Sequence, residues 1–385
     1  MESATILPHR RPIASARRIV IKIGSTLLAD LRQGTNQAWI EELAGQVAAL
    51  RKAGREVILV TSGAVAAGTA RLGIPKPPTA MPLLQAAAAV GQGILMRHYA
   101  EAFARHEIPV GQMLLTRDGM DDRVRYLNAR NTLLALLELG SLPIVNENDT
   151  IMVEEIRFGD NDQLSALVAG MAEAEALVIL SDIEGLHQRP PAEGPSPVIE
   201  HVPAITPEIE ARVDDTKSPI SRGGMTSKLL AAKRASASGV PVVIASGRRA
   251  RILEAIFEGR AVGTLFSAEV SPLSAKKRWI AARRPAGSIR VDAGAKRALA
   301  RDGKSLLAIG VVAADEAIAV GDSVSLVDEA GGEFARGLSN FSGAEILRIQ
   351  GERSDALAEI LGYACATTVV HRDNLVLTED WPSSG

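Results

Sequence analysis

Two lysines in this chain stand where a charge needs a reason. Lys22 interrupts "IVIKIGST" (residues 19–26), an apolar run that otherwise reads as a buried strand. Lys228 closes "SRGGMTSK" (221–228), a glycine turn running into a helix. A lone lysine at a strand end ordinarily snorkels its ammonium to water, so the company the two keep is what matters. Three further polar clusters follow apolar runs. "TSGAVAAG" (61–68) sets Thr61, Ser62 and Gly63 before a small-residue helix, where N–H groups and a hydroxyl make an anion site. "NENDT" (146–150) packs two amides and two carboxylates into one turn. "FGDNDQLSA" (158–166) puts Asp160, Asn161 and Asp162 at a helix start. Helix caps favour Asp and Asn, which accounts for one of these three residues but not for all. Glycines let backbone N–H groups approach phosphates, and lysines balance the charge that arrives. Such a set suits phosphoryl transfer, which needs positioning and charge neutralisation above all. An acceptor that is already a carboxylate needs no general base.

Other chemistries find less support. The six histidines are scattered, without HExxH spacing, and no His/Cys cluster suggests a metal site. "DGKS" (302–305) ends like a P-loop, but Ala298 occupies the place of its first glycine. "GQG" (91–93) lacks the third glycine of a dinucleotide fingerprint and follows no strand.

The clusters need a scaffold, and six short apolar runs supply one: "RIVIKI", "EVILVTS", "IPVGQMLLT", "LPIVNE", "ALVILSD" and "VPVVIAS". Helical stretches separate them. In "AWIEELAGQVAALRKAG", Ile40, Leu43, Val47 and Leu50 share one helical face, ended by Gly54. "RVRYLNARNTLLALLELG" and "DQLSALVAGMAEA" behave alike, and the alanine-rich "LLQAAAAVGQ" reads as helix core. Continuous apolar strands alternating with helices predict an α/β fold with a mostly parallel sheet sandwiched by helices. Ligands of such sheets sit beyond the carboxyl ends of the strands, where the polar clusters fall. The proline-dense stretch 187–203 reads as an excursion, and 267–284 as a linker with a basic cluster. Beyond it, "GSIRVDAG", "SLLAIGVV", "GDSVSLVDEAGGEFARGL" and "AEILRIQG" read as the short strands and turns of a small, mainly β domain.

With 385 residues, 46% of them hydrophobic, the chain is long enough for two or three domains. A net charge of −2 gives no global pull towards nucleic acid or membrane. The single cysteine, Cys365, leaves no internal disulfide and fits a reducing compartment. No apolar run approaches the roughly 18 residues of a membrane span. The arginine-rich start reads as a short frayed extension, and the chain as cytoplasmic.

In their order, "IVIKIGST", "VTSGAVAAG", "VNENDT", "FGDNDQLSA", "LSDIEGL" and "GGMTSK" resemble the amino acid kinase family, in its glutamate 5-kinase branch. The segment "GSIRVDAGAKRAL…GKSLLAIGV…GDSV…ARGLSNFS" resembles the PUA domain of bacterial members. The resemblance implies an extension (1–16), a kinase domain (17–266), a linker (267–284), a PUA domain (285–371) and a tail (372–385). It implies ATP-dependent phosphorylation of the γ-carboxylate of L-glutamate, with Mg2+ and no protein-held metal site, as the first step of proline synthesis. Lys22 would then contact ATP phosphates, Lys228 the migrating phosphoryl group and leaving ADP, and Asp162 would hold both lysines. Ser62, Asp149 and Asn161 would bind glutamate. Ser181, Asp182, Arg222, Gly223, Gly224, Met225, Thr226, Ser227 and Lys228 would bind the nucleotide. The family usually carries threonine where Arg222 stands, and an aromatic where His187 stands. Proline as inhibitor, a homo-oligomer (dimer or tetramer) and a partner glutamyl phosphate reductase follow from the same resemblance. Acetylglutamate, aspartate, carbamate or a nucleotide are the rival substrates; the NEND turn and PUA tail weigh against them. RNA binding is the rival of another class. From Pro285 to His371 twelve acidic residues face eight basic ones, a net −4, where a phosphate-tracking surface is expected to be basic.

Overall fold

All six apolar runs form strands. The structure, a computed structural model, describes residues 6–30, 34–76, 78–151, 161–189, 194–213, 224–269, 277, 280–281, 283–363 and 366–378. Two compact units divide it, Met1–Ser271 and Pro272–Gly385. In the first unit the strands are β1 (Arg18–Ile23), the small pair β2 (Ala29–Asp30) and β3 (Gly34–Thr35), β4 (Glu56–Val60) and β5 (Val110–Leu115). They are followed by β6 (Leu142–Glu147), β7 (Ala176–Ser181), β8 (His201–Val202), β9 (Val242–Ser246) and β10 (Thr264–Phe266). Eight of them build one sheet in the order β5-β6-β4-β1-β7-β9-β10-β8. All neighbours from β5 to β9 pair in parallel; β10 turns antiparallel to β9.

The period of two along β1 divides the core. Ile19, Ile21 and Ile23 face one layer, with buried residues of the helices Gln37–Lys52, Met81–Ala104 and Ile252–Phe257. Val20 faces the other, formed by the helices Asn161–Met171 and Met225–Ala237, and Lys22 two residues on faces the same way. In the helix Gln37–Lys52, Ile40, Leu43, Val47 and Leu50 are all buried, as their spacing predicts.

The alanine-rich run lies in the long helix Met81–Ala104, and its small residues have a packing reason. A Cβ on Gly68 would lie 1.8 Å from the Ala87 carbonyl oxygen, and one on Gly91 1.8 Å from that of Ala64. The helices Ala64–Arg71 and Met81–Ala104 therefore touch backbone to backbone. Larger side chains would separate them.

Five expectations need correction. From residue 6 on, the stretch read as a frayed extension is tied down: Arg10 is fully buried and donates to the carbonyls of Val262 (2.8 Å), Glu200 (3.0 Å) and Gly263 (3.2 Å). Its guanidinium thus ties the Glu200 carbonyl to those of Val262 and Gly263, just before β10. Within the proline-dense excursion, a bridge joins His187 to Val198, and His201–Val202 forms β8 on the sheet edge. In the second unit, "AEILRIQG" belongs to a helix (Gly343–Ile349) rather than a strand. Ser342 and Glu345 form a capping box at its start, a signal that outweighs the β-branched content. The stretch read as a tail supplies Leu375–Leu377, the last strand of a five-stranded sheet. That sheet orders β11 (Gly287–Val291), β12 (Val311–Ala314), β13 (Ser323–Val327), β14 (Glu333–Leu338) and β15 (Leu375–Leu377) as β12-β11-β13-β14-β15. Of the segment read as linker, Ile280 and Ala281 are buried against Val376 and Leu338. Among the described residues, no helix is long and apolar enough to cross a membrane.

Replacing Gly68 by Ala tests the helix contact. In an ordinary helix interior the change is favourable by about 1 kcal/mol. Here we expect a loss of about 1–3 kcal/mol from overpacking, read by denaturant unfolding. A gain in stability would show that the helices have room to spare.

Candidate active site

Sheet register brings the polar clusters to one edge. Lys22 pairs with Val60 on one side and Ile179 on the other, and Val60 pairs with Val145. Lys22 is thus level with Val60 at the end of β4 and with Val145 and Ile179, two residues before the ends of β6 and β7. Parallel strands put all these carboxyl ends on the same rim, next to the N-termini of the helices Asn161–Met171 and Met225–Ala237.

At the centre of this rim lies Asp162, fully buried in the first turn of its helix. Lys22 Nζ lies 2.5 Å from Asp162 Oδ1, and Lys228 Nζ donates to Asp162 Oδ2 at 3.1 Å. One carboxylate therefore engages two ammonium groups, each through a different oxygen. Neither lysine snorkels: Lys22 is 3% exposed and Lys228 4%. Lys22 arrives from a sheet strand and Lys228 from the first turns of a helix, so Asp162 ties sheet to helix layer as well. Helix N-termini favour an acidic residue such as Asp162, which helps to hold the carboxylate charged.

Beside this trio is a neutral polar group. Asn161 Nδ2 donates to Ser62 Oγ and to Asn146 Oδ1, both at 3.1 Å. Asn146 Nδ2 donates in turn to Gln92 Oε1 at 2.7 Å. Thr61 is fixed by its backbone N–H to the Val145 carbonyl (2.9 Å) and by its hydroxyl to that of Tyr99 (2.9 Å). Burial pushes the Tyr99 phenol far above its ordinary range and keeps it protonated. Gly63, at φ 89°, turns the chain from β4 into the helix Ala64–Arg71 through a conformation that favours glycine. Asp149 sits half-buried in a single 3-10 turn, Asp149–Ile151, straight after β6.

Of the nucleotide-side residues, Ser181 is buried at the end of β7, where its hydroxyl accepts from the Ile183 N–H (3.3 Å), and Asp182 is exposed. Gly224 caps the second helix, with Met225, Thr226 and Ser227 in its first turn. Thr226 is exposed, and the Ser227 carbonyl accepts from Gln163 Nε2 at 3.3 Å. Arg222 and Gly223 lie outside the described residues, as does Asp160. His187 donates through Nδ1 to the Ser196 carbonyl at 2.6 Å and so closes its own loop. Sequence reasoning missed Gln92 and Tyr99, and took Asn146 only as part of the NENDT turn. An amide standing alone within the small-residue run of residues 86–93 was the available signal for Gln92.

The amino acid kinase family's profile matches residues 17–246, and the PUA domain's profile residues 287–361. A glutamate 5-kinase of Moorella thermoacetica is 48% identical over 370 residues, covering 96% of this chain and 98% of that protein. One from Ralstonia pickettii is 48% identical over 367 residues, covering 95% and 98%. The chain belongs to the amino acid kinase family, among its glutamate 5-kinases. As a kinase of this family it uses ATP. The fold class expected from the sequence is borne out by the parallel sheet and by both matched domains. Among solved structures, the UMP kinase of Bacillus anthracis is similar with a TM-score of 0.45 at 16% identity, covering 66% of this chain and 97% of that one.

Asp162→Ala leaves two buried ammonium groups without their shared carboxylate. Removing one member of a buried ion pair costs about 3–5 kcal/mol. Thermal unfolding of the variant is expected to fall accordingly, even without any ligand. An unchanged Tm would mean that the trio carries no part of the fold's stability.

Proposed function

We propose that this enzyme transfers the γ-phosphoryl group of ATP to the γ-carboxylate of L-glutamate, releasing ADP and glutamyl 5-phosphate. The observation that carries this reading is the single buried carboxylate holding two lysines beside a neutral amide and hydroxyl cluster. The 48% identity to glutamate 5-kinases supports the choice of substrate.

The reaction asks little covalent chemistry of the protein. A glutamate carboxylate oxygen forms a bond to the γ-phosphorus, the bond to the β–γ bridging oxygen breaks, and ADP leaves with that electron pair. Lys22 and Lys228 neutralise charge on the moving phosphoryl group and on ADP, and Asp162 keeps both ammonium groups aimed at the rim. Ser62, Asn161 and Asp149 hold the amino acid. Ser181, Asp182 and the segment from Arg222 to Lys228 hold the nucleotide.

Mg2+ would be held chiefly by the nucleotide's phosphates, where it would supply charge neutralisation beside Lys22 and Lys228. Proline, which also presents a charged amine beside a carboxylate, is read as an inhibitor overlapping the glutamate site.

Glutamate-dependent ADP release, with hydroxylamine trapping of the acyl phosphate, tests the reaction. A hydroxamate formed only with glutamate is expected; equal turnover with acetylglutamate or aspartate would reassign the substrate. Asp149→Ala should raise the glutamate KM about ten- to a hundred-fold, the worth of one hydrogen bond to a charged group. The ATP KM should stay close to wild type, and proline inhibition should weaken in step. A raised ATP KM beside an unchanged glutamate KM would move Asp149 to the nucleotide side.

A further inference from the structure

One backbone N–H sets the polarity of three side-chain amides in this site. Asn146 Oδ1 accepts from the Glu147 N–H at 2.9 Å, and a backbone N–H can only donate. The oxygen of Asn146 is thereby fixed on that side, and its nitrogen must point the other way, to Gln92. The Gln92 atom that meets Asn146 Nδ2 at 2.7 Å must then be its oxygen. Likewise, the Asn161 atom 3.1 Å from Asn146 Oδ1 must be its nitrogen. Asn161 Nδ2 spends both its protons, on Asn146 Oδ1 and on Ser62 Oγ. Among the described residues, Asn161 Oδ1 is left as a buried acceptor without a hydrogen-bond partner. A ligand that contacts it has to bring a donor.

We propose that Gln92 is a positioning residue for the amino-acid substrate: through Asn146 it locks Asn161 with its oxygen presented to the substrate's ammonium group. The inference rests on the reading of glutamate as substrate. At neutral pH, glutamate offers two carboxylates, which only accept, and one ammonium, which only donates. The ammonium is its sole match for Asn161 Oδ1. Gln92 is nine-tenths buried in the helix Met81–Ala104, one residue beyond the glycine that touches the Ala64 carbonyl. Its backbone is thus held where two helices meet backbone to backbone, and its side chain has one partner of fixed polarity. If the acceptor at Gln92 is lost, Asn146 Nδ2 loses its partner there, the Glu147 N–H alone is left to hold the Asn146 amide, and Asn161 Oδ1 is presented to the ammonium less firmly.

The test compares Gln92→Met, which fills similar space without an acceptor, with Gln92→Glu, which keeps an acceptor oxygen for Asn146 Nδ2. Gln92→Met is expected to raise the glutamate KM roughly five- to tenfold, the weight of one neutral hydrogen bond. Its kcat and ATP KM should stay within about twofold, and Gln92→Glu should recover most of the loss, as expected for a polarity relay. In an Asn161→Ala background, Gln92→Met should change the glutamate KM by less than about twofold, because coupled residues do not add. Thermal melts of each variant separate misfolding from mispositioning, and a Gln92→Met that melts far below wild type transfers the decision to Gln92→Glu and the Asn161→Ala background. An unchanged glutamate KM in Gln92→Met, equal rises in both KM values, or full additivity with Asn161→Ala overturns the relay. Wild-type enzyme without glutamate-dependent turnover would instead overturn the substrate reading, which is a separate result.

Discussion

Asp162 is the constraint on which the site depends. A fully buried carboxylate between two nearly buried lysines is an expensive arrangement in a protein interior, because all three groups give up hydration. Such a trio persists only where geometry compensates each charge. Here it does: each oxygen of Asp162 meets a different ammonium, and the three residues come from a central strand and two helix starts. Because these elements are braced by the apolar layer that Val20, Leu164 and Leu229 fill, the ammonium groups are set before substrates arrive. Preorganised charge is what phosphoryl transfer rewards, since charges already in place need no rearrangement at the transition state.

The two halves of the site follow opposite electrostatic rules. Around Asp162 the groups are charged and their positions are set by ion pairing. Around Asn146 they are neutral amides and hydroxyls, and their orientation is set by which atoms can donate. A charged half suits a phosphoryl group whose charge shifts during reaction. The neutral half suits recognition of a small zwitterion, where a misplaced donor costs affinity directly. Both halves are seated by the same parallel sheet, whose register levels Lys22 with Val60 and Val145.

Much of this was legible in the residues. Continuous β-branched runs marked the six strands, and the rule that ligands gather at strand carboxyl ends put Lys22, Ser62, Asn161 and Asp162 in one region. The structure brings those four together with Lys228. Gln92 was not legible, because its partner Asn146 lies 54 positions away and only tertiary packing joins them. The same holds for Arg10, whose three carbonyl partners come from distant loops. The helix Gly343–Ile349 was misread for a different reason: Ile and Leu content suggested strand, whereas the Ser342–Glu345 cap decided the matter locally.

If Lys22 and Lys228 work as one unit through Asp162, their contributions to turnover cannot be independent. The direct measurement is a double-mutant cycle on kcat with Lys22→Met and Lys228→Met at saturating glutamate and ATP. Each single change is expected to lower kcat by about 10² to 10³, and the double variant by little more than the worse single, as residues acting together do. Losses that multiply would contradict the account, because they would mean that each lysine meets the phosphates on its own and that the shared carboxylate is incidental.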